Sequence, residues 1–97
     1  MELRITARHF DLSEDIKGYA EKRILPLTRY FDRIMDSHLI LSVEKHQKKA
    51  ELSMGVFGQT LVAHSETDDV YSCIDGVTEK MERQLTKYND RITDHRK

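Results

Sequence analysis

Basic side chains recur near the C-terminal end of the chain at the spacing of one helix face. The four residues, called the basic stripe below, are Lys80, Arg83, Lys87 and Arg91, and Gln84 lies among them. At about 100° per residue they fall within roughly 60° of Lys80 on a helical wheel. Each neighbouring pair of like charges destabilises a helix by roughly 0.2 to 0.5 kcal/mol, and a bound anion would remove that repulsion. The stripe therefore predicts an anion-binding surface. The alternative is a solvated face on which Glu79 pairs with Arg83.

A second group of basic residues lies in the first predicted helix. It comprises Lys17, Lys22, Arg23, Arg29 and Arg33. Arg23 is expected beside Tyr19 and Tyr30 at the edge of the apolar face, where a guanidinium can rest on an aromatic ring. If the two helices lie side by side, their basic residues would together line one groove that follows a phosphate backbone. Arg8, at the end of the first predicted strand, is added on charge alone.

The histidines and the single cysteine offer little for metal binding or catalysis. His38 and His64 are expected on one face of the sheet without a cluster of further ligands, so neither a metal nor any other cofactor is predicted. Cys73 has no second thiol and no histidine nearby in sequence, and we interpret it as a small packed side chain. The chain also lacks a Gly-rich phosphate loop and a Gly-x-Ser-x-Gly elbow. It therefore predicts no enzyme.

Charged residues are numerous but almost balanced. Of 97 residues, 34% are charged and 38% hydrophobic, and the net charge is -1. This composition fits one folded domain and excludes a disordered chain. Residues 66–79 hold five acidic residues and no basic one, whereas residues 80–97 hold six basic residues against three acidic ones, so the surface field is polarised. With no long apolar run, no signal-peptide pattern and one cysteine, the chain is expected to be cytoplasmic and to make no membrane contact.

Hydrophobic periodicity predicts the elements that position these residues. Leu3, Ile5 and Ala7 alternate as in a strand. Ser13 is a suitable N-cap for a first helix. The buried face of that helix would contain Ile16, Ala20, Ile24, Leu27 and Phe31. Pro26 lacks the N–H that a helix needs, so it predicts a kink or an early end near Leu25.

Three more strands and a long helix should follow. Alternation over residues 37–46, 50–56 and 61–66 predicts strands joined by short polar turns, with Gly58 in the last turn. Asp68 and Asp69 open a helix from residue 69 to residue 94, long enough to extend past the sheet. Each strand has one apolar side, so the helices should cover one face and leave the other exposed. The predicted fold class is α+β, with the order β-α-β-β-β-α, a four-stranded sheet and two helices packed on one face.

Three stretches of this sequence resemble one known family. The most specific is residues 69–87, DVYSCIDGVTEKMERQLTK; the others are the opening MELRITAR and the Leu-x-x-Tyr-Phe-Asp-Arg-Ile run from Leu27 to Ile34. They resemble the ribosome hibernation promoting factors, also called ribosome-associated translation inhibitors or sigma-54 modulation proteins. The resemblance spans essentially the whole chain. Because the sequence ends just after the second helix, it resembles the short members, and one ribosome-binding domain is expected over residues 1–97.

The resemblance implies a fold like that of double-stranded-RNA-binding domains and, as partner, the small ribosomal subunit with its rRNA. Family members occupy the channel between head and body, where messenger RNA and the A-site and P-site tRNAs would bind, so translation stops reversibly. Short members also favour inactive ribosome dimers in stationary phase, usually with a second small factor, and the free protein is expected to be a monomer. The family's basic positions assign RNA contacts to Arg23, Lys80, Arg83, Lys87 and Lys17. The wheel and charge alone add Arg8, Lys22, Arg29 and Arg91.

Other functions stay open at this point. A protein-binding regulator, as the sigma-54 name suggests, would use the acidic segment from Glu66 to Glu79. A free duplex-RNA binder would rely on the fold, although the basic stripe is short for that purpose. An enzyme that uses Cys73 is the least favoured alternative.

Overall fold

The sheet and both helices follow the predicted order along the chain. The computed structural model describes residues 3–31 and 33–94, with side chains as far as residue 90. Its elements are β1 (Leu3–Arg8), α1 (Glu14–Tyr30), β2 (Ile34–Glu44), β3 (Gln47–Val56), β4 (Gln59–Thr67) and α2 (Val70–Asp94). The strands lie in the order β1-β2-β3-β4, with β1 parallel to β2 and the other neighbours antiparallel. The predicted fold class is confirmed.

Both helices cover the same face of the sheet. Alternate residues of the strands are buried there, among them Leu39, Leu41, Leu52, Met54, Leu61 and Ala63. They form one core with Ala20, Ile24 and Leu27 of α1 and with Ile74, Val77, Met81 and Leu85 of α2. Because side chains alternate along a strand, the opposite face carries residues such as Arg4, His38, Glu51 and His64 and stays open to solvent.

Of the kink or early end that Pro26 predicted near Leu25, the early end is wrong. Ser13 caps the helix as expected, since its Oγ accepts a hydrogen bond from the Ile16 N–H at 3.1 Å. The helix then continues through Pro26 to Tyr30. Proline has no N–H to donate to the carbonyl of Lys22. Because Pro26 is exposed, that carbonyl is on the solvent side of the helix. The Thr28 hydroxyl donates to the Leu25 carbonyl at 2.6 Å and further secures this turn.

The strands are longer than alternation alone indicated. β2 begins at Ile34, ahead of the predicted Ser37, and ends at Glu44, so that Lys45 and His46 form a two-residue turn. Lys45 adopts a positive φ of 53° there. Phe57 and Gly58 connect β3 to β4, and Gly58 has a φ of 88°, which glycine adopts at little cost.

α2 begins beside β4 and continues past the β3–β4 turn. Asp69 is its N-cap: the carboxylate accepts hydrogen bonds from the Ser72 N–H at 3.0 Å and the Ser72 hydroxyl at 2.9 Å. Farther along, the Tyr88 hydroxyl donates to the Phe57 carbonyl in the β3–β4 turn at 2.9 Å. The helix continues beyond that contact to Asp94. Among the helices of the described chain, none is long and apolar enough to cross a bilayer.

Candidate nucleic-acid interface

The basic stripe of α2 presents cations to solvent. Lys80, Arg83 and Lys87 are all exposed, while the opposite arc of the helix is buried in the core. None of these three side chains lies within 4.0 Å of a carboxylate oxygen of any residue that the structure describes. Glu79 and Arg83, both described, therefore do not form the ion pair that the solvated-face alternative required. Arg91 lies within α2, but its side chain is outside the described residues.

The stripe lies along the edge strand β4. The Lys80 ammonium donates to the His64 carbonyl at 2.7 Å, and the Gln84 amide donates to the Val62 carbonyl at 2.7 Å. Because β4 is at the edge of the sheet, its outward carbonyls have no partner strand and accept these side-chain donors instead. Lys80 and Gln84 therefore fix α2 against β4. Lys80 keeps its charge near the surface, while Arg83 and Lys87 remain without any such contact.

On the side of α2 that faces α1, the carboxylate of Asp75 already has partners within the protein. The Asp75 Oδ1 atom accepts hydrogen bonds from the Tyr19 hydroxyl at 2.5 Å and from Arg23 Nε at 2.9 Å. The hydrogen bond to Asp75 favours the neutral phenol and raises the pKa of Tyr19 above its ordinary value. The Tyr19 ring also packs edge-on against Tyr71, with the ring centroids 5.1 Å apart. Arg23 lies beside Tyr19 as expected, since both bind Asp75 Oδ1, and the contact that its guanidinium makes is an ion pair with this carboxylate.

The predicted common groove between the two helices is not formed. Asp75 faces α1, whereas Lys80 and Gln84 reach β4, so the basic stripe lies on the side of α2 that is turned away from α1. Lys17, Lys22 and Arg29 are exposed on α1. These three residues and the stripe are thus two separate basic surfaces, and Asp75 lies on the side of α2 that faces α1.

A shallow depression of about 470 Å³ brings Arg8 and Lys80 to one surface. Arg8 is exposed at the end of β1. Lys49 in the same depression is held by Glu44 at 3.0 Å and by Glu66 at 3.6 Å. The hydrogen bond and the charge of Glu44, followed by the charge of Glu66, raise the pKa of Lys49. Lys49 is therefore less available to an external anion than Arg8.

The histidines on the open face and the buried cysteine have internal partners. His38 Nε2 lies 2.8 Å from the Thr6 hydroxyl, and His64 Nδ1 lies 4.0 Å from Glu51, on the far side of β3 from His38. Within the described residues, no group of three potential ligands is placed to hold a metal ion. Cys73 is fully buried, and its thiol donates to the Lys48 carbonyl at 3.0 Å, so the prediction of a packed thiol is confirmed.

Comparison with known proteins identifies the family. The profile of the family described as "Sigma 54 modulation protein / S30EA ribosomal protein" matches residues 3–93. This chain belongs to that family. The protein named ribosome hibernation promoting factor in Azotobacter vinelandii is 35% identical over 91 residues, which cover 94% of this chain and 85% of the relative. The protein of the same name in Escherichia coli K12 is 34% identical over 95 residues, which cover 98% of this chain and 100% of the relative.

Two solved structures have the same fold as this chain. A ribosomal subunit interface protein from Coxiella burnetii superposes with a TM-score of 0.87 at 29% identity, covering 93% of this chain and 99% of that one. The N-terminal domain of Thermus thermophilus Protein Y shares the fold, with a TM-score of 0.79 at 24% identity, covering 88% and 94% of the two chains. The family is one of regulatory proteins and not of enzymes, which confirms the prediction from motifs.

Sequence reasoning missed an exposed apolar group at one end of this family member. Tyr30 was expected beside the core but is 85% exposed at the last position of α1. Phe57 in the β3–β4 turn and Met35 near the start of β2 are also exposed. The position of Phe57 next to Gly58, in a predicted turn, was a signal that its side chain would be exposed. No pattern indicated Met35, because a register shift between Ile34 and Asp36 interrupts the alternation there.

Proposed function

We propose that this protein binds the small ribosomal subunit through rRNA phosphates and silences the ribosome reversibly, as a ribosome hibernation factor with a single ribosome-binding domain. The observation that carries the proposal is the pair Arg83 and Lys87, exposed and without a described carboxylate within 4.0 Å. Arginine and lysine in that state are available to phosphate oxygens. Family membership supplies the ribosome as the source of those phosphates.

The action would be occupancy of the decoding channel. A folded domain of this size, held by phosphates of the small subunit, would exclude messenger RNA and the A-site and P-site tRNAs. Release would restore translation, because no covalent step is involved. The protein would act in the cytoplasm as a free monomer before binding. Its bound form would favour inactive ribosome dimers in stationary phase, together with a second small factor.

The acidic segment from Glu66 to Glu79 argues against the protein-binding alternative, because several of its carboxylates already have partners within the protein. Of its five acids, Glu66 contacts Lys49, Asp69 caps α2, and Asp75 is bound by Tyr19 and Arg23. Carboxylates that already have internal partners are poor recognition groups for an external basic partner. Two of the five acids, Glu66 and Asp75, are thus paired with internal cations, so the segment from residue 66 to residue 79 offers less free negative charge than its composition indicates.

A competition experiment tests the proposed mode of action. Small subunits are programmed with messenger RNA and a P-site tRNA, and the retained tRNA is measured as purified protein is added. We expect the wild-type protein to displace or exclude tRNA in a saturable manner, and the variant Arg83→Glu/Lys87→Glu to require a far higher concentration.

The matched control is Arg4→Glu/Lys45→Glu, which changes the net charge equally at exposed positions away from the stripe. This control should exclude tRNA as the wild-type protein does. Retention of tRNA at saturating wild-type protein would contradict occupancy of the channel. Equal affinity for a plain RNA duplex and for subunits would favour the duplex-binding alternative instead.

A further inference from the structure

The three most exposed large apolar side chains among the described residues lie at one end of the molecule. Tyr30 is 85% exposed, Phe57 78% and Met35 68%. Tyr30 is the last residue of α1, Met35 is the second residue of β2, and Phe57 is in the turn between β3 and β4. The paired residues Ile34 and Val56 join these segments. Val62 and Tyr71 are exposed elsewhere but far less, at 38% each. A group of strongly exposed apolar side chains at one end of a protein is typical of an interaction surface.

The backbone under these side chains is fixed by specific contacts. The Tyr88 hydroxyl holds the Phe57 carbonyl at 2.9 Å, and the rings of Tyr30 and Phe31 are 5.9 Å apart. At the register shift, Asp36 Oδ1 accepts a hydrogen bond from the Gly55 N–H at 3.0 Å. Gly55 is required there, because a Cβ atom at this position would collide with the Asp36 carboxylate. The exposed rings are thus presented on an ordered support.

The basic stripe leads to this apolar end. Successive contacts of α2 reach His64, then Val62, then Phe57, so the helix runs along β4 toward the β3–β4 turn. Lys87 precedes Tyr88, whose hydroxyl holds that turn. A nucleic-acid strand whose phosphates followed the stripe would therefore arrive at the exposed rings.

We propose that Tyr30 and Phe57 stack on unpaired RNA bases, an inference that rests on the function proposed above. Exposed aromatic rings beside cations are the usual platform for single-stranded RNA, because every base has a face that can stack. Charge favours RNA over an apolar protein partner. Arg29, Arg33 and Lys87 are exposed around this end, and none has a carboxylate oxygen within 4.0 Å in the part of the chain that the structure describes.

Ring-removing and ring-retaining substitutions test the stacking. Leucine keeps the apolar character but removes the aromatic face, so Tyr30→Leu and Phe57→Leu are compared with Tyr30→Phe and Phe57→Tyr. Affinity for isolated small subunits is measured by equilibrium co-sedimentation across a salt series. We expect each leucine variant to bind about 5- to 150-fold more weakly and the ring-retaining variants to bind like the wild-type protein. The dependence on salt should not change, since no phosphate contact is removed.

The outcomes separate this inference from the proposed function. Leucine variants with wild-type affinity would overturn stacking. Tyr30→Ala and Phe57→Ala are then measured as well, and loss of binding with alanine but not with leucine would indicate an apolar protein contact. Either result leaves the proposed function intact if Arg83→Glu/Lys87→Glu still loses binding. Val62→Ala, an exposed apolar truncation on the open face of the sheet, is the control and should bind normally. A thermal unfolding midpoint near that of the wild-type protein confirms that each variant is folded.

Discussion

The two sides of α2 treat charge in opposite ways. On the side that faces α1, Asp75 is bound by Tyr19 and Arg23, so acid and base neutralise each other within the protein. On the side that faces β4, Lys80 donates to a backbone carbonyl, while Arg83 and Lys87 have no described carboxylate partner. The difference shows which basic residues bind groups of the protein itself, and Arg83 and Lys87, which do not, are the ones that we propose to bind an external partner. Arg23 holds the two helices together through its ion pair with Asp75, although the resemblance to the family had assigned it to RNA together with the stripe.

The largest expected effect comes from reversing the unpaired charges. Arg83→Glu/Lys87→Glu should weaken small-subunit binding by about 100-fold or more at fixed salt, because two phosphate contacts become repulsions. The free energy of unfolding should change by less than about 0.5 kcal/mol, since both side chains are exposed. The assays are co-sedimentation and chemical denaturation, with Arg4→Glu/Lys45→Glu as the matched control. Equal binding by the two double variants would contradict the proposal that Arg83 and Lys87 contact phosphates.

The next largest expected effect is on stability, at the point where Gly76 of α2 packs closely against Ser65 of β4. A Cβ atom at Gly76 would lie 2.5 Å from the Ser65 hydroxyl oxygen. We therefore expect Gly76→Ala to destabilise the protein by about 1–3 kcal/mol. Gly18 in α1 is the matched control: nothing lies within 4 Å of a Cβ there, so Gly18→Ala should stabilise by about 0.5–1 kcal/mol. Denaturant midpoints measure both, and a change of the same sign in the two variants would contradict this packing.

Removing the acid on the α1 side should have a smaller effect. Asp75→Ala deletes the acceptor of both Tyr19 and Arg23, and the ion pair is about 40% exposed, so we expect a loss of about 1 kcal/mol. Glu82→Ala removes an exposed acid of the same helix and should be nearly neutral. Urea unfolding of the two variants measures the difference. Equal stability of the two would show that the α1 side is no more paired than the β4 side.

The smallest predicted effect is a pH-dependent contribution from the N-cap of α2. Hydrogen bonds from the Ser72 N–H and then from the Ser72 hydroxyl lower the pKa of Asp69 below its ordinary value of 3.8. A lowered pKa in the folded state stabilises the protein above that ordinary value, and the contribution is lost as the pH falls through the folded-state pKa. Asp69→Ala should therefore lower the unfolding temperature at pH 7, and the difference should shrink below about pH 4. Asp68→Ala is the control, and a deficit of Asp69→Ala that persists unchanged at pH 2 would refute the linkage.

Periodicity predicted most of the fold, because each element buries one regular face. The apolar arcs of α1 and α2 and the alternation in the strands were sufficient for the order of elements and the single covered face. The alternation failed at the register shift beside Met35, and the early end expected at Pro26 was wrong because an exposed position tolerates the missing hydrogen bond. Both failures depend on tertiary surroundings that a local pattern does not contain.

The candidate site was predictable in composition but not in arrangement. The wheel brought Lys80, Arg83 and Lys87 together on one exposed stripe, although in the structure Glu79 and Glu82 line the same surface depression as Arg83 and Lys87. It did not reveal that Asp75 and Arg23 meet, because they are distant in sequence and belong to different helices. For the same reason the single groove between the helices was wrong: the side of α2 that faces β4 is decided by packing on the sheet.

The salt dependence of binding tests the central claim most directly. For the wild-type protein and isolated small subunits, five to eight phosphate contacts predict that log affinity falls with log salt at a slope of about -4 to -7. The Arg83→Glu/Lys87→Glu variant should give a slope shallower by about 2. A slope near zero for the wild-type protein, or identical slopes for the two proteins, would contradict an interface built on the free cations of α2.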